Sequence, residues 1–296
     1  MEEMNAPVSA GGRLELGLAG EGAFRWAVVD LTDVVQEARD RRDLSPVSTA
    51  ALGRCMAGAA LLLRLAAKTP TRLTVEVRGD GPILRVMAEA DQEGNLRGLV
   101  GHPQVDVPHW TDNKLAVGRA VGKGHLWVRR EYAGGGGYQS QVELVNGEIG
   151  EDLAHYLSQS EQTNSAVLLG VLGKPSGVAA AGGMIVEVLP GAPEEVISRL
   201  EENIFRIKGI SELLEEGGIP YVMETVLSGL DREVLEVSPM RYRCRCSRER
   251  LLRHLVLLPA DDRDYLRRED GTIDADCVFC GAHYIFTPEE LQSPAP

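Results

Sequence analysis

Four of the five cysteines fall in the last sixth of the chain, as Cys244-Arg245-Cys246, thirty intervening residues, then Cys277-Val278-Phe279-Cys280. Each short pair offers two sulfurs to one point, and the segment between must fold back before the second pair can meet the first. That is the spacing of a tetrahedral thiolate site for Zn²⁺. The first pair is C-x-C where C-x-x-C is commoner, so the pattern departs from an ordinary zinc ribbon. Cys244, Cys246, Cys277 and Cys280 are the predicted ligands of a single zinc ion. His283, three residues past Cys280, is the one substitute ligand in reach. Four sulfurs already complete the tetrahedron, so it is expected at the surface or behind the ligands.

Two other readings of the cysteines are open. A secreted, disulfide-bonded module is disfavoured because the start, Met1-Glu2-Glu3-Met4-Asn5, is acidic and has no apolar run of an export signal. A metal-free dithiol centre is the second. Cys55 stands alone upstream and reads as a small buried hydrophobe.

A formal net charge of −13 disfavours general nucleic-acid binding, which needs Lys and Arg to neutralise phosphates. Arg241, Arg243, Arg245, Arg248, Arg250 and Arg253 run through the first cysteine pair as a local exception. Guanidinium groups there favour nearby thiolates and so favour metal binding and oxidation. The most apolar run, 57–67, is too short to span a bilayer and is interrupted by Arg64, so no membrane partner is expected.

Along the chain, alternation around Leu14, Leu16, Phe24, Trp26 and Val28 predicts two strands about a turn at 20–22. A helix is predicted from Thr32. A second, rich in Ala and Gly, runs from Ser45-Pro46 or Ser48 through Leu63, apolar around most of its circumference and therefore central. Residues 71–78 and 83–90 read as a hairpin about Gly79-Asp80-Gly81-Pro82. No lysine-serine and no helix start follow those glycines, so they are not a phosphate loop. Strands are expected at 95–100, 125–130 and 141–145, a helix at 151–160, and two more strands at 166–172 and 178–189. His102, His109, His125 and His155 lack metal spacing. No nucleophile–base order or nucleotide fingerprint appears.

From 194 to 236 the residues are helix formers rich in carboxylates, with apolar positions at helical spacing (Val196, Ile197, Leu200, Ile204) broken at Gly217-Gly218 and Gly229. Short amphipathic helices of this kind depend on what they pack against. The fold class expected is α+β: a mostly antiparallel sheet around an apolar helix over 1–190, an acidic helical linker over 191–240, a zinc module over 241–291 and a tail over 292–296. Within the module, 248–258 predicts a helix with Leu251, Leu252 and Leu255 inward, 260–268 a second, and Tyr284-Ile285-Phe286 a strand. So short a segment buries little apolar surface. A structural zinc, contributing on the order of 10 kcal/mol, would supply what its core lacks.

The cysteine pattern behind an acidic helical stretch resembles the bacterial thirty-three-kilodalton chaperonin family of redox-regulated heat-shock holdases. The resemblance extends through Ala51-Leu52-Gly53-Arg54, Gly79-Asp80-Gly81-Pro82-Ile83, Pro103-Gln104-Val105, Gly147-Glu148-Ile149-Gly150, Ala181-Gly182-Gly183 and Cys246-Ser247-Arg248-Glu249-Arg250. His102, where asparagine is usual, and Cys55 depart from it. It implies a cytoplasmic chaperone that uses no ATP, is inactive while reduced and zinc-bound, and binds unfolding client proteins after oxidation. It further implies that Cys244 pairs with Cys246 and Cys277 with Cys280 on oxidation, with zinc expelled, and that the reduced monomer becomes a dimer. The client-binding surface is not legible. The rival enzyme reading is a dithiol-disulfide oxidoreductase using Cys277 and Cys280, which requires the pair at a helix start after a strand. The rival binding reading is a zinc-ribbon nucleic-acid module resting on the arginine run.

Overall fold

The computed structural model describes residues 11–292 apart from 67, 69 and 109–114. The acidic start at Met1–Asn5, His109, the far end of the apolar run at Ala67 and the tail beyond 292 therefore lie outside the described residues. Two compact units divide the chain, Met1–Tyr242 and Arg243–Pro296.

The first unit opens with strands β1 (Gly12–Ala19) and β2 (Phe24–Asp30) and helices α1 (Thr32–Arg42) and α2 (Pro46–Leu65). Ser45 caps α2, its hydroxyl accepting from the Ser48 N–H at 3.3 Å, and Pro46 takes the first turn, where a missing N–H costs nothing. This helix is long and apolar enough to cross a membrane, yet nearly all of it is buried. It is the core helix of the unit. Gly53 lets Val171 approach it closely: a Cβ there would lie 2.6 Å from Val171 Cγ2.

Then follow β3 (Arg72–Gly79), β4 (Arg85–Asp91), β5 (Asn95–Val100), α3 (Val117–Val121), β6 (Gly124–Glu131), β7 (Gly137–Glu143) and α4 (Gly150–Tyr156). The helix expected over 151–160 keeps its α form only to Tyr156, and Leu157–Glu161 continue as a π-helical turn. Asp152, fully buried, accepts from the backbone N–H groups of Val145, Asn146 and Ile149 and so fixes the turn into α4. The long strands β8 (Ser165–Lys174) and β9 (Gly177–Val188) precede α5 (Glu194–Arg206), α6 (Ile210–Val226) and β10 (Arg232–Tyr242).

Among the described residues one ten-stranded sheet runs β7-β6-β3-β4-β5-β10-β1-β2-β9-β8. Its neighbours are antiparallel except at β10 and β5, which meet in parallel at only Arg241–Asn95 and Tyr242–Leu96. The fold class is thus α+β with a large, mostly antiparallel sheet.

The stretch 194–236, expected to be helical throughout, contains β10 instead of a third helix. Val234, Leu235 and Val237 pack poorly as a helix face but suit a strand, and all three remain about half exposed. Pro239 argues against a central strand. It is accommodated because β5 reaches β10 only beyond it, at Arg241 and Tyr242.

Helices α5 and α6 stand as the sequence predicts. Gly218, at φ 64°, and Pro220 break α6 into two short pieces. Both helices lie over one face of the sheet, where Leu213, Leu214, Val222, Met223 and Val226 pack with Trp26, Val28, Met184 and Val186. Burial against that face, and not helix propensity, holds pieces this short in place.

The second unit carries α7 (Arg248–Leu257), α8 (Ala260–Leu266), β11 (Ile273–Asp276), β12 (His283–Phe286) and α9 (Pro288–Gln292), with β11 and β12 forming an antiparallel hairpin. Leu255, Ile273, Phe286 and Leu291 make its core, flanked by Leu251 and Leu252 as the helical spacing predicts. The strand β11 was not evident in the sequence, because Ile273-Asp274-Ala275-Asp276 holds a single large apolar residue.

Candidate metal centre

The two cysteine pairs arrive from different local structures within the second unit. Cys244 and Cys246 lie in the extended run leading into α7, whose N-cap is Ser247; its hydroxyl accepts from the Arg250 N–H at 3.2 Å. Cys277 and Cys280 occupy the turn joining β11 to β12. There the Cys277 N–H donates to the Ala282 carbonyl at 2.9 Å, and the Gly281 N–H to the Cys277 carbonyl at 2.8 Å. Gly281 takes φ 72°, a left-handed conformation that glycine adopts without strain, so the turn can close tightly.

The four sulfurs lie within 4.8 Å of one another. Cys244 Sγ is 3.6 Å from Cys277 Sγ, and Cys246 Sγ is 3.4 Å from Cys280 Sγ. A tetrahedron of sulfurs at the usual zinc distance has edges of about 3.8 Å, so this donor set fits a four-coordinate soft or borderline metal ion. Cys277 and Cys280 are buried and the first pair is half-buried.

Electrostatics in the cluster are lopsided. Donation from the Cys280 thiol, helped by the Cys246 N–H and the thiols of Cys246 and Cys277, pulls Cys244 down to about 4 despite its burial. The same hydrogen bond pushes Cys280 up, since its proton is the one shared, and burial adds to the effect. Burial also raises Cys246. By themselves these sulfurs therefore hold one negative charge readily and resist further ones. A divalent cation removes that resistance, which is why such a cluster is chemically suited to a metal.

His283 lies outside the four-sulfur group. Its Nδ1 is 2.7 Å from Asp276 Oδ1, and its Nε2 is 3.6 Å from Asp274 Oδ2. A residue the cysteine spacing did not reveal is Tyr284, whose hydroxyl donates to Cys246 Sγ at 3.3 Å. The only signal for it was its place in the short apolar strand after the second pair.

Of the arginine run, Arg248 is engaged with Glu290 at 2.8 Å, donates to the Ile285 carbonyl at 2.7 Å and stacks over the Phe286 ring. It thereby ties α7 to the hairpin and α9. Arg241 donates to the Asn95 side chain at 2.7 Å in the sheet. Cys55 is buried in α2, its thiol 3.5 Å from the Val75 carbonyl and pushed up by burial. It belongs to the first unit's core. The second pair, seated in a hairpin turn, lacks the strand-then-helix setting that a dithiol oxidoreductase uses.

Comparison with known proteins agrees with this architecture. The profile of the family described as Hsp33 protein matches residues 13–287. The chain is 48% identical to the 33 kDa chaperonin of Thermus thermophilus, covering 95% of this chain and 86% of that protein. It is 42% identical to the 33 kDa chaperonin of Desulforamulus reducens, covering 93% and 94%. The crystal structure of the 33 kDa chaperonin of Thermotoga maritima, a heat shock protein 33 homologue, superposes with a TM-score of 0.88 at 35% identity, over 95% of this chain and 96% of that one. A match that spans the sheet, the helices laid on it and the cysteine module together places this chain in the Hsp33 family of chaperones.

Proposed function

We propose that this protein is a redox-regulated, ATP-independent holdase of the cytoplasm, inactive as a reduced zinc-bound monomer and active as an oxidised dimer that binds unfolding client proteins. The observation that carries the reading is the convergence of four sulfurs within 4.8 Å in a unit whose remaining buried apolar core, among the described residues, is Leu255, Ile273, Phe286 and Leu291. So small a core needs a cross-link to stay folded. Cys244, Cys246, Cys277 and Cys280 would hold Zn²⁺, and bound zinc supplies the counter-charge that lets all four remain thiolates. Oxidation to Cys244–Cys246 and Cys277–Cys280 disulfides, the pairing that family resemblance implies, removes every donor at once.

With the cross-link gone the module loses the larger part of its folding free energy. In the coupling that the family resemblance implies, helices α5 and α6, the latter broken at Gly218 and both dependent on packing, then lose their hold on the sheet face, and that face carries Trp26, Val28, Met184 and Val186. Bared apolar surface of this kind is what a holdase offers to clients. The test is structural: limited proteolysis of the reduced, zinc-loaded chain and of the peroxide-oxidised chain, with zinc and thiols counted in both. Oxidation is expected to release zinc, consume four thiols and open cleavage sites in 191–240 and in the module. An oxidised, zinc-free chain as protease-resistant as the reduced one would refute the reading.

A further inference from the structure

The Tyr284 hydroxyl on the Cys246 sulfur differs in kind from the cluster's backbone donors. The N–H of Cys246 serves Cys244 and that of Ala282 serves Cys280, and almost any residue type would supply those. A side-chain hydroxyl is specific to the residue chosen. It also falls on Cys246, which is less buried than Cys277 and Cys280 and so more open to a small oxidant. We propose that Tyr284 is a positioning residue that guards Cys246, its O–H holding a sulfur lone pair and slowing that sulfur's attack on a hydroperoxide. Hydrogen bonding, and not exposure alone, then sets which pair oxidises first. The inference rests on the redox reading above.

The chemistry is balanced within the sulfurs and the peroxide. The Cys246 thiolate gives an electron pair to a peroxide oxygen, the O–O bond breaks, hydroxide leaves and a sulfenic acid remains. A neighbouring thiolate attacks that sulfur, forms the S–S bond and expels a second hydroxide, so two electrons pass from sulfur to peroxide. Negative charge leaves the sulfur in the first step, and a hydrogen bond to the charged sulfur is therefore stronger before attack than during it. One net hydrogen bond corresponds to about fivefold in rate.

The test is Tyr284→Phe in the full-length, reduced, zinc-loaded protein. The ring is kept, with its stacking on Phe286 at 6.4 Å between centroids. Hydrogen peroxide is added, and each cysteine is followed by differential alkylation and mass spectrometry, with zinc affinity measured by chelator competition. Cys246 is expected to oxidise about fivefold faster, with the initial rates at Cys277 and Cys280 and the zinc affinity unchanged. An unchanged Cys246 rate overturns the proposal. So does weakened zinc binding with all four sulfurs accelerated together, which would make the hydroxyl a prop of the fold. A wild-type chain whose thiols resist peroxide and keep zinc defeats the redox reading itself, and this inference falls with it.

Discussion

The sulfur of Cys246 lies 3.4 Å from that of Cys280, although 34 positions separate the two residues. The contact runs across the two cysteine pairs and so fastens the start of α7 to the β11–β12 turn. Any change that removes one of these sulfurs breaks the tie between the two halves of the module.

Cys277→Ser should therefore abolish tight zinc binding, because a serine hydroxyl is a poor substitute for a thiolate at a tetrahedral site. Under reducing conditions the variant is expected to lose zinc to a chelator at least about a hundredfold more readily, and its 191–240 stretch should become protease-sensitive without any oxidant. Unchanged resistance in that stretch would separate the module's stability from that of the helices.

Metal uptake should release protons in a number that reports whether the cluster is preformed. Cys244 is already a thiolate at pH 7, whereas Cys246 and Cys280 are raised and hold their protons there. Binding at pH 7 is thus expected to release at least two and fewer than four protons per metal ion. Affinity should fall as pH falls, because protons compete for the ligands. Titration calorimetry in buffers of different ionisation enthalpy measures the count. A value near four, the sum for ordinary thiols of pKa about 8.5, would mean the sulfurs are not gathered before the metal arrives.

Gly17 tests the place of β10 in the sheet. A Cβ at Gly17 would sit 1.9 Å from the Glu233 carbonyl oxygen and 2.4 Å from the Trp26 ring, beside the irregularity in β1–β10 pairing at Leu16/Gly17. Gly17→Ala is expected to destabilise the first unit by about 1–3 kcal/mol, read as a lower urea midpoint. An unchanged midpoint would show that β10 does not pack there.

Asn203 ties α5 to the end of α6, donating from its side-chain amide to the carbonyls of Val226 at 3.2 Å and Ser228 at 2.9 Å. Asn203→Ala leaves the buried Val226 carbonyl without its side-chain donor, at about 1–3 kcal/mol, while the exposed Ser228 carbonyl turns to water. Hydrogen exchange should quicken in α5 and α6 while β2 and β9 stay protected, since local opening precedes global unfolding. Equal loss of protection in the sheet would mean that helices and sheet open as one.

How far the sequence could be read follows from these same residues. The cysteine spacing carries its own geometry, so the sulfur cluster was legible without any fold. The all-round apolar run of α2 and the amphipathic pattern of α7 were legible because each belongs to one unbroken helix. β10 was not legible: its Val-Leu-Glu-Val run lies among helix formers and is followed by Pro239, and its strand form is decided by β1, more than two hundred positions away. Tyr284 was equally silent, since a donor to sulfur has no spacing rule and becomes visible only when β12 brings it to Cys246.

The most direct measurement of the central claim takes the reduced, zinc-loaded protein and the same protein after peroxide at a mildly unfolding temperature, and follows light scattering of a chemically denatured client as each is added, with zinc release recorded in parallel. The account predicts that the client aggregates in the presence of the reduced form and stays dispersed once zinc has left the oxidised one. Equal protection by both forms, or zinc loss without protection, would contradict it.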